Sequence, residues 1–230
     1  MAIILSIETS TPISSIALHD SGKLISEQTI YKNKSHSQYL VPSIKNLCET
    51  SGIKIKDIQA VAISEGPGSY TGLRIGTSSA KGLCFGLDIP LIAVNTLVAM
   101  ANGMRKFYKD DLLLCPMLDA RRMEVYCIVM DLNGDILNET SALIIDGNSF
   151  TDLLKQYRML FFGDGALKCK PILKHHQNAI FIDHVYPSAV HIGEMAWDKY
   201  TLNQFEDLAY FEPFYLKDFI AKKPSAKKLV

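Results

Sequence analysis

The amino-acid sequence predicts an α/β fold made of two lobes, each a mixed sheet with covering helices. Runs typical of strands alternate with runs typical of helices, as in sheets that carry helices on their faces. The order three strands, helix, strand, helix, strand, helix occurs twice, and 48% hydrophobic residues can supply a core for both copies. We therefore predict a boundary near Arg105–Asp110, with lobes at residues 1–106 and 107–230.

The first half begins with an antiparallel meander. The predicted strands are Ile3–Glu8, Ile13–His19 and Lys23–Tyr31, and Asp20-Ser21-Gly22 supplies the turn before the third. A helix follows from Ser37 to Ser51, capped by Ser35 or Ser37 and ended by Gly52. Its apolar residues recur at helical spacing and form one stripe: Leu40, Val41, Ile44, Leu47 and Cys48.

The remaining elements alternate between strand and helix. The first half continues with strand Ala60–Ser64, helix Leu73–Leu87, strand Pro90–Val94 and helix Thr96–Lys106. In the second half, strands cover Leu112–Leu118, Glu124–Asp131 and Ile136–Ile145, and Asn133-Gly134 is a strong hairpin signal between the last two. A helix, strand Met159–Phe162, a helix, strand Ala179–Ile182 and a last helix complete the order.

Composition and charge exclude several classes of protein. Twenty-four basic residues balance 24 acidic ones, so the chain lacks the overall positive field of a nucleic-acid-binding domain. Any contact with RNA must come from a local patch or through a partner. The five cysteines contain no Cys-x-x-Cys pair, and we expect neither a signal peptide nor a membrane-spanning run. We expect a cytoplasmic protein with reduced thiols and no membrane contact.

The strongest candidate for chemistry is the glycine-rich turn at residues 64–76, between a predicted strand and a predicted helix. Free N–H groups at the helix start and nearby side-chain donors could hold a phosphate, through Gly66, Gly68, Ser69, Thr71, Gly72 and Arg74. The turn has neither the Walker ending Gly-Lys-Ser/Thr nor the Gly-x-Gly-x-x-Gly of a dinucleotide site. A tight turn in which Gly72 and Gly76 let helix and sheet approach closely is an equal alternative.

Two other turns are weaker candidates for the same phosphate site. Glu8, Thr9 and Ser10 follow the first strand, in the place where sugar-kinase and actin-like folds usually have an aspartate and a glycine. Gly163 and Gly165 flank Asp164 in the second half, where those folds hold the nucleotide base. The turn at Gly163 could equally be a plain connection.

Several longer motifs, spread over both halves, make the sequence resemble the TsaB/YeaZ family. They are Ile-Glu-Thr-Ser-Thr at 7–11, His-Ser-Gln-Tyr-Leu at 36–40 with Pro42, the glycine-rich turn at 66–76, Ala-Lys-Gly-Leu at 80–83, Val-Asn-Thr-Leu at 94–97, Asp-Ala-Arg-Arg at 119–122 with Glu-Val-Tyr at 124–126, and Pro-Phe-Tyr-Leu at 213–216. The resemblance implies the actin-like ATPase (ribonuclease-H-like) topology in both lobes. It also implies kinship with TsaD, the catalytic threonylcarbamoyl transferase.

The resemblance further implies a subunit with no catalytic residues. TsaD proteins carry two metal-binding histidines as His-x-x-x-His, and this chain has Thr96 and Met100 at the corresponding positions. Neither side chain is a credible ligand for a hard or borderline divalent ion, and no other His-x-x-x-His occurs. We therefore expect no metal site and no tightly bound cofactor. ATP or ADP binding should be weak and occur mainly in a complex.

The partners that the resemblance implies are a TsaD-like transferase subunit and a TsaE-like ATPase. The chain would dimerise with the transferase to enable threonylcarbamoylation of the anticodon-adjacent adenosine of tRNA. Alone it would form a homodimer, and it would meet tRNA only through the complex. The implied partner surface is the first helix: Tyr39, Leu40, Val41, Ile44, Leu47 and Cys48. Packing of this stripe on the chain's own sheet is the alternative.

Other interpretations of the sequence stay open. A metal-dependent glycoprotease-like hydrolase, a small-molecule kinase and a homodimeric nucleotide-binding module are the rival functions. The basic C-terminal run is expected to be a solvated tail, with a contact to tRNA or to an acidic partner as the alternative: Lys217, Lys222, Lys223, Lys227 and Lys228.

Overall fold

A computed structural model describes residues 2–31, 36–109 and 111–217 and contains the strands and helices in the predicted order. The first half comprises β1 (Ile3–Glu8), β2 (Ser14–Asp20), β3 (Lys23–Ile30), α1 (His36–Thr50), a 3₁₀ turn (Ile55–Asp57), β4 (Ile58–Gly66), α2 (Tyr70–Leu87), β5 (Leu91–Asn95) and α3 (Thr96–Arg105). The second comprises β6 (Leu112–Asp119), β7 (Glu124–Met130), β8 (Ile136–Ile144), α4 (Thr151–Gln156), β9 (Arg158–Phe162), α5 (Asp164–Leu173), β10 (Ala179–Ile182) and α6 (Ala189–Thr201). No helix in these described ranges is long and apolar enough to cross a membrane.

The predicted cap of α1 needs a correction. The helix begins at His36, so Ser37 is its second residue and cannot be the N-cap. Ser35, the other predicted cap, lies outside the described residues, as do Lys222, Lys223, Lys227 and Lys228 of the basic tail.

The two halves build two five-stranded mixed sheets with one topology. In the first sheet the order is β3-β2-β1-β4-β5, with β1–β2 and β2–β3 antiparallel and β1–β4 and β4–β5 parallel. In the second, β8-β7-β6-β9-β10 repeats both the order and the strand directions. Because β1 and β6 are the central strands, the turns that follow them leave from the middle of each sheet.

Two helices each pack on the sheet of the opposite half of the chain. α1 and α2 pack on one face of the first sheet. The opposite face is covered by α6, from the second half, through Ile192 and Ala196. α3, from the first half, packs instead on the second sheet through Leu97 and Met100. The predicted boundary at residue 106 falls between the segments that form the two sheets. However, α3 and α6 each cover the sheet of the opposite half.

α3 and α6 lie against each other between the sheets and are joined by polar contacts. Nζ of Lys106 lies 2.6 Å from a carboxylate oxygen of Glu194, and Nδ1 of His191 lies 3.2 Å from the same oxygen. The hydrogen bonds from His191 and Lys106 lower the pKa of Glu194 to about 2. Nδ2 of Asn102 lies 3.3 Å from the sulfur of Met195. Polar contacts therefore add to the packing that links the two sheets.

Helix α6 comes close to the first sheet at Gly193. His19 of β2 is fully buried beneath it, and a Cβ at residue 193 would lie under 3.0 Å from the imidazole ring and from the Ser6 hydroxyl. Burial lowers the pKa of His19, which favours a neutral ring under the helix. The contact requires a residue without a Cβ.

After α6 the chain returns along the first sheet as a strap, residues 206–217, which contains a turn at residues 208–210. The Glu206 N–H donates to the Leu91 carbonyl at 2.9 Å, which adds a bridge at the β5 edge. Nζ of Lys81 in α2 donates to the carbonyls of Ala209 and Phe211 at 3.1 and 3.3 Å. The strap thereby covers the β5 edge and runs beside α2 toward the turn between β4 and α2.

Gly193→Ala should destabilise the chain by roughly 2 kcal/mol, because a methyl group there overpacks against His19. The free energy of unfolding from urea titration, followed by circular dichroism, measures the effect. Gly147→Ala in the turn between β8 and α4 is the control, since a Cβ there meets no atom within 4 Å. It should stabilise slightly, by about 0.5 kcal/mol, because alanine restricts the unfolded chain more than glycine does. A stabilising Gly193→Ala would contradict the described contact.

Candidate functional site

The glycine-rich turn joins β4 to α2, and the turn after β1 is pressed into it. A Cβ at Gly68 would lie 2.5 Å from the Ser10 carbonyl oxygen, and one at Gly72 or Gly76 would lie under 3.0 Å from Thr9. Oγ1 of Thr9 donates to the Gly72 carbonyl at 2.9 Å. The close approach of the backbone at Ser10 and Thr9 therefore explains Gly68 and Gly72, and the Thr9 side chain explains Gly76. This is the alternative to a phosphate cradle.

Glu8 places a carboxyl group inside this contact. It is fully buried, and one oxygen accepts the Ser10 N–H at 2.5 Å. Burial raises the pKa of Glu8, and the hydrogen bonds from Ser10 oppose that rise. A backbone N–H of the kind that phosphate oxygens accept is thus already used by the chain's own acid. Glu8, Thr9 and Ser10 form a closed turn.

The outer part of the glycine-rich turn carries the remaining predicted donors. Ser69 caps α2, because its hydroxyl accepts the Gly72 N–H at 3.3 Å, and its own N–H donates to Ser10 at 2.6 Å. Ser69, Thr71 and Arg74 are exposed. These side chains could meet an anion only outside the closed turn.

The strap covers the other side of the glycine-rich turn. Gly66 adopts φ 119°, and a Cβ there would lie 2.7 Å from the Phe214 carbonyl oxygen. The rings of Tyr215 and Tyr70 have centroids 5.1 Å apart, and the Arg74 guanidinium lies 4.7 Å over the Tyr70 ring. Partial burial raises the pKa of Tyr215, while its hydrogen bond with Arg74 lowers it. Sequence reasoning missed this role of the strap, although the motif Pro-Phe-Tyr-Leu marks its end.

At the Gly-Asp-Gly turn of the second half, the space beside the two glycines is also occupied by neighbouring residues of the chain. Gly163 adopts φ 99°, and Cβ atoms at Gly163 and Gly165 would lie under 3.0 Å from backbone atoms of β6. Asp164 accepts the Asp119 N–H at 3.0 Å, and burial raises the pKa of Asp164. This turn fastens α5 to β6, which explains both glycines without a nucleotide base.

The positions that correspond to the metal-binding histidines of TsaD lie at the start of α3. Thr96 is fully buried, and Met100 belongs to the core against the second sheet. A buried hydroxyl and a buried thioether are not the donor set of a divalent metal site. The residues present therefore do not fit that metal. In the part of the chain that the structure describes, no three His, Cys, Asp or Glu side chains are grouped as possible ligands.

The apolar stripe on α1 belongs mainly to the core of the chain itself. Four of the six residues predicted to face a partner pack on the first sheet and are 4%, 2%, 3% and 1% exposed: Leu40, Ile44, Leu47 and Cys48. The structure corrects their assignment to a partner surface, because these side chains are already buried in the single chain. Tyr39 and Val41 remain at the surface, 39% and 56% exposed.

Known proteins similar to this chain point to one family. A family model described as "TsaD: tRNA N6-adenosine threonylcarbamoyltransferase" matches residues 23–224. The tRNA threonylcarbamoyladenosine biosynthesis protein TsaB of Bacillus subtilis is 37% identical over 136 residues, 59% of this chain and 58% of that protein. TsaB of Buchnera aphidicola subsp. Acyrthosiphon pisum is 34% identical over 187 residues, 78% of this chain and 83% of that protein. The chain belongs to the TsaB/YeaZ family.

A solved structure of a TsaB/YeaZ protein has the same fold. YeaZ from Pseudomonas aeruginosa matches with a TM-score of 0.78 over 94% of this chain and 100% of that chain, at 23% sequence identity. With the matching family model, this likeness confirms the predicted actin-like (ribonuclease-H-like) ATPase fold with two mixed sheets.

Glu8→Gln should become more stabilising as pH rises. The folded-state pKa of Glu8 is raised above its ordinary value of 4.5, so the wild-type chain loses stability as pH rises from there through the folded pKa. Glutamine keeps an acceptor for the Ser10 N–H and has no charge to bury. The difference in free energy of unfolding between variant and wild type, from urea denaturation, should increase as pH rises above 4.5. A difference that does not change with pH would contradict the buried carboxyl.

Proposed function

We propose that this chain is the non-catalytic partner subunit of a TsaD-type transferase. It dimerises with that subunit and so enables threonylcarbamoylation of the adenosine next to the tRNA anticodon. A TsaE-type ATPase joins the pair, and tRNA meets the chain only within the complex. Alone, the chain forms a homodimer. All of these steps take place in the cytoplasm.

The proposal is carried by family membership together with the filled turns. The relatives are named for tRNA threonylcarbamoyladenosine biosynthesis, and the matching family model is that of the transferase. In this chain Glu8 and Thr9 fill the turn after β1, and Thr96 and Met100 stand where ligands would be needed. A chain with the fold of the transferase but without its ligand set suits a partner of the enzyme better than an enzyme.

The outward faces of α1 and α2 support a partner surface. The two helices pack on each other and on the first sheet, opposite α6. Val41 and Phe85 are 56% and 84% exposed, and Tyr39 lies beside Val41 in α1. Gly82 and Gly86 are exposed, and a Cβ at either would meet no atom within 4 Å. Small residues beside apolar ones allow the helices of a second molecule to approach closely and bury these side chains.

The rival functions have less support. A metal-dependent glycoprotease-like hydrolase needs metal ligands, which Thr96 and Met100 do not supply. A homodimeric nucleotide-binding module would use the same α1 and α2 surface, but it also needs an open phosphate turn where Glu8 and Thr9 now lie. A small-molecule kinase needs that open turn and an aspartate base.

Val41→Glu should leave the chain folded and weaken both its homodimer and its complex with the TsaD-type subunit by about tenfold or more, because a carboxylate would be buried unpaired. Analytical ultracentrifugation measures the homodimer, and interferometry with purified partner measures the complex. Ile144→Glu is the matched control: Ile144 is a 70% exposed apolar residue on β8, in the other lobe, and its substitution should not affect binding.

The Leu47→Glu variant tests whether Leu47 belongs to the core or to the partner surface. Leu47 is 3% exposed in the first core, so this variant should unfold, with loss of its circular dichroism signal. If the Leu47→Glu chain stays folded but no longer binds the TsaD-type subunit, the apolar stripe on α1 belongs to the partner surface and not to the core. A folded Val41→Glu chain with wild-type affinity would show that the partner binds elsewhere.

The isolated chain should bind ATP with a Kd of about 1 mM or above, because its own backbone and Glu8 fill the phosphate turn. Isothermal titration calorimetry of the chain alone, and then of its complex with the TsaD-type subunit, measures this. The complex should bind more tightly than the chain. Low-micromolar affinity of the isolated chain would contradict the closed turn.

A further inference from the structure

A band of cationic and aromatic side chains crosses from the first sheet to the second at the end of the strap. Arg74 lies over the Tyr70 ring, and Tyr70 lies against Tyr215. Two residues further, Lys217 forms an ion pair with Glu124 at the start of β7. Arg74 and Lys217 are both exposed. The strap therefore brings charges from both halves onto one continuous surface.

The turn between β6 and β7 extends this band. Arg121 and Arg122 are exposed there, with φ of 72° and 51°. The Arg121 N–H donates to Asp119 at 2.8 Å, and its carbonyl accepts the Glu124 N–H at 3.2 Å. Among residues 2–31, 36–109 and 111–217, neither arginine forms an ion pair. Two guanidinium groups are thus available to a ligand beside the Lys217 contact.

Carboxylates next to the arginines are already paired with lysines. Asp119 pairs with Lys168, and Glu124 pairs with Lys217. The two arginines therefore present uncompensated positive charge, although the whole chain has a formal net charge of zero.

We propose that Arg74, Arg121 and Arg122 form a contact surface for the phosphodiester backbone of tRNA, with Lys217 neutralising Glu124 beside them. The inference rests on the proposed function, which brings tRNA to the complex. Arginine forks match the geometry of phosphate oxygens. Aromatic rings set among cations are typical of surfaces that bind unpaired nucleotides, which Tyr70 and Tyr215 fit.

RNA explains the band better than other anionic partners do. An acidic protein or an anionic membrane would also be attracted by the positive charge, but the proposed function brings tRNA to this complex, and a polynucleotide offers bases to the tilted tyrosine pair as well as phosphates to the arginines. The zero net charge of the chain also means that this surface adds to a binding site made by the complex and does not bind RNA strongly by itself.

The test uses the complex of the full chain with the TsaD-type subunit and an unmodified tRNA transcript. Fluorescence anisotropy at several salt concentrations measures the affinity. Arg121→Gln with Arg122→Gln should weaken binding roughly tenfold and reduce the slope of log K against log salt by about 2. Arg121→Lys with Arg122→Lys keeps both charges and should retain most of that slope.

The matched control removes two positive charges elsewhere. Lys155→Gln with Lys174→Gln acts at exposed positions in α4 and at the end of α5, and should leave affinity and slope unchanged. Size-exclusion chromatography with the TsaD-type subunit shows that every variant folds and assembles. If this control loses as much tRNA affinity as the arginine variant, the loss comes from the net charge of the chain, and the proposed local contact is wrong.

The remaining outcomes distinguish this inference from the proposed function. If the arginine-to-glutamine variant binds the transcript like the wild type, while the wild-type complex modifies it when supplied with the TsaE-type ATPase, ATP and a threonylcarbamoyl donor, the contact surface is wrong and the proposed function stands. If the wild-type complex neither forms nor modifies the transcript, the proposed function fails and this inference with it. Unchanged tRNA affinity with lost binding to phosphatidylserine vesicles or to polyglutamate would assign the surface to a membrane or to an acidic protein.

Discussion

The packing of α3 against α6 between the two sheets is the contact on which the rest of the molecule depends. Each helix covers the sheet of the other half, so neither sheet buries both of its faces with its own segment. Gly193 lies on the buried His19, and Glu194 contacts Lys106. These contacts position α6, from which the strap leaves, and the strap covers one side of the glycine-rich turn.

The glycine-rich turn between β4 and α2 shows that a need for glycine can arise from two different contacts. A glycine lets a backbone come close to whatever lies opposite it, whether that is a phosphate or another peptide. Here the backbone opposite Gly68 and Gly72 belongs to Ser10 and Thr9, and Glu8 accepts an N–H within the contact. The turn is thus a structural joint between β1 and α2, which accounts for its glycines without a bound nucleotide.

The proposed contacts with protein and with RNA use separate parts of the surface. Phe85 lies near the C-terminal end of α2 and Arg74 near the N-terminal end, roughly 16 Å apart along the helix axis. Val41 lies on α1, whereas Arg121 and Arg122 lie in the turn between β6 and β7 of the second sheet. One molecule can therefore bind a partner through α1 and α2 and still present the cationic band.

The sequence by itself determined the α/β class and the order of the elements, because apolar spacing and turn residues act over a few neighbours. It also identified the family, since its motifs are contiguous. Only the tertiary structure decided which surface the stripe around Leu47 faces, because an apolar stripe has the same period against its own sheet as against a partner. Likewise, Thr9 meets Gly72 across 63 positions and Lys106 meets Glu194 across 88. Local patterns cannot specify such contacts, because they depend on how distant segments pack.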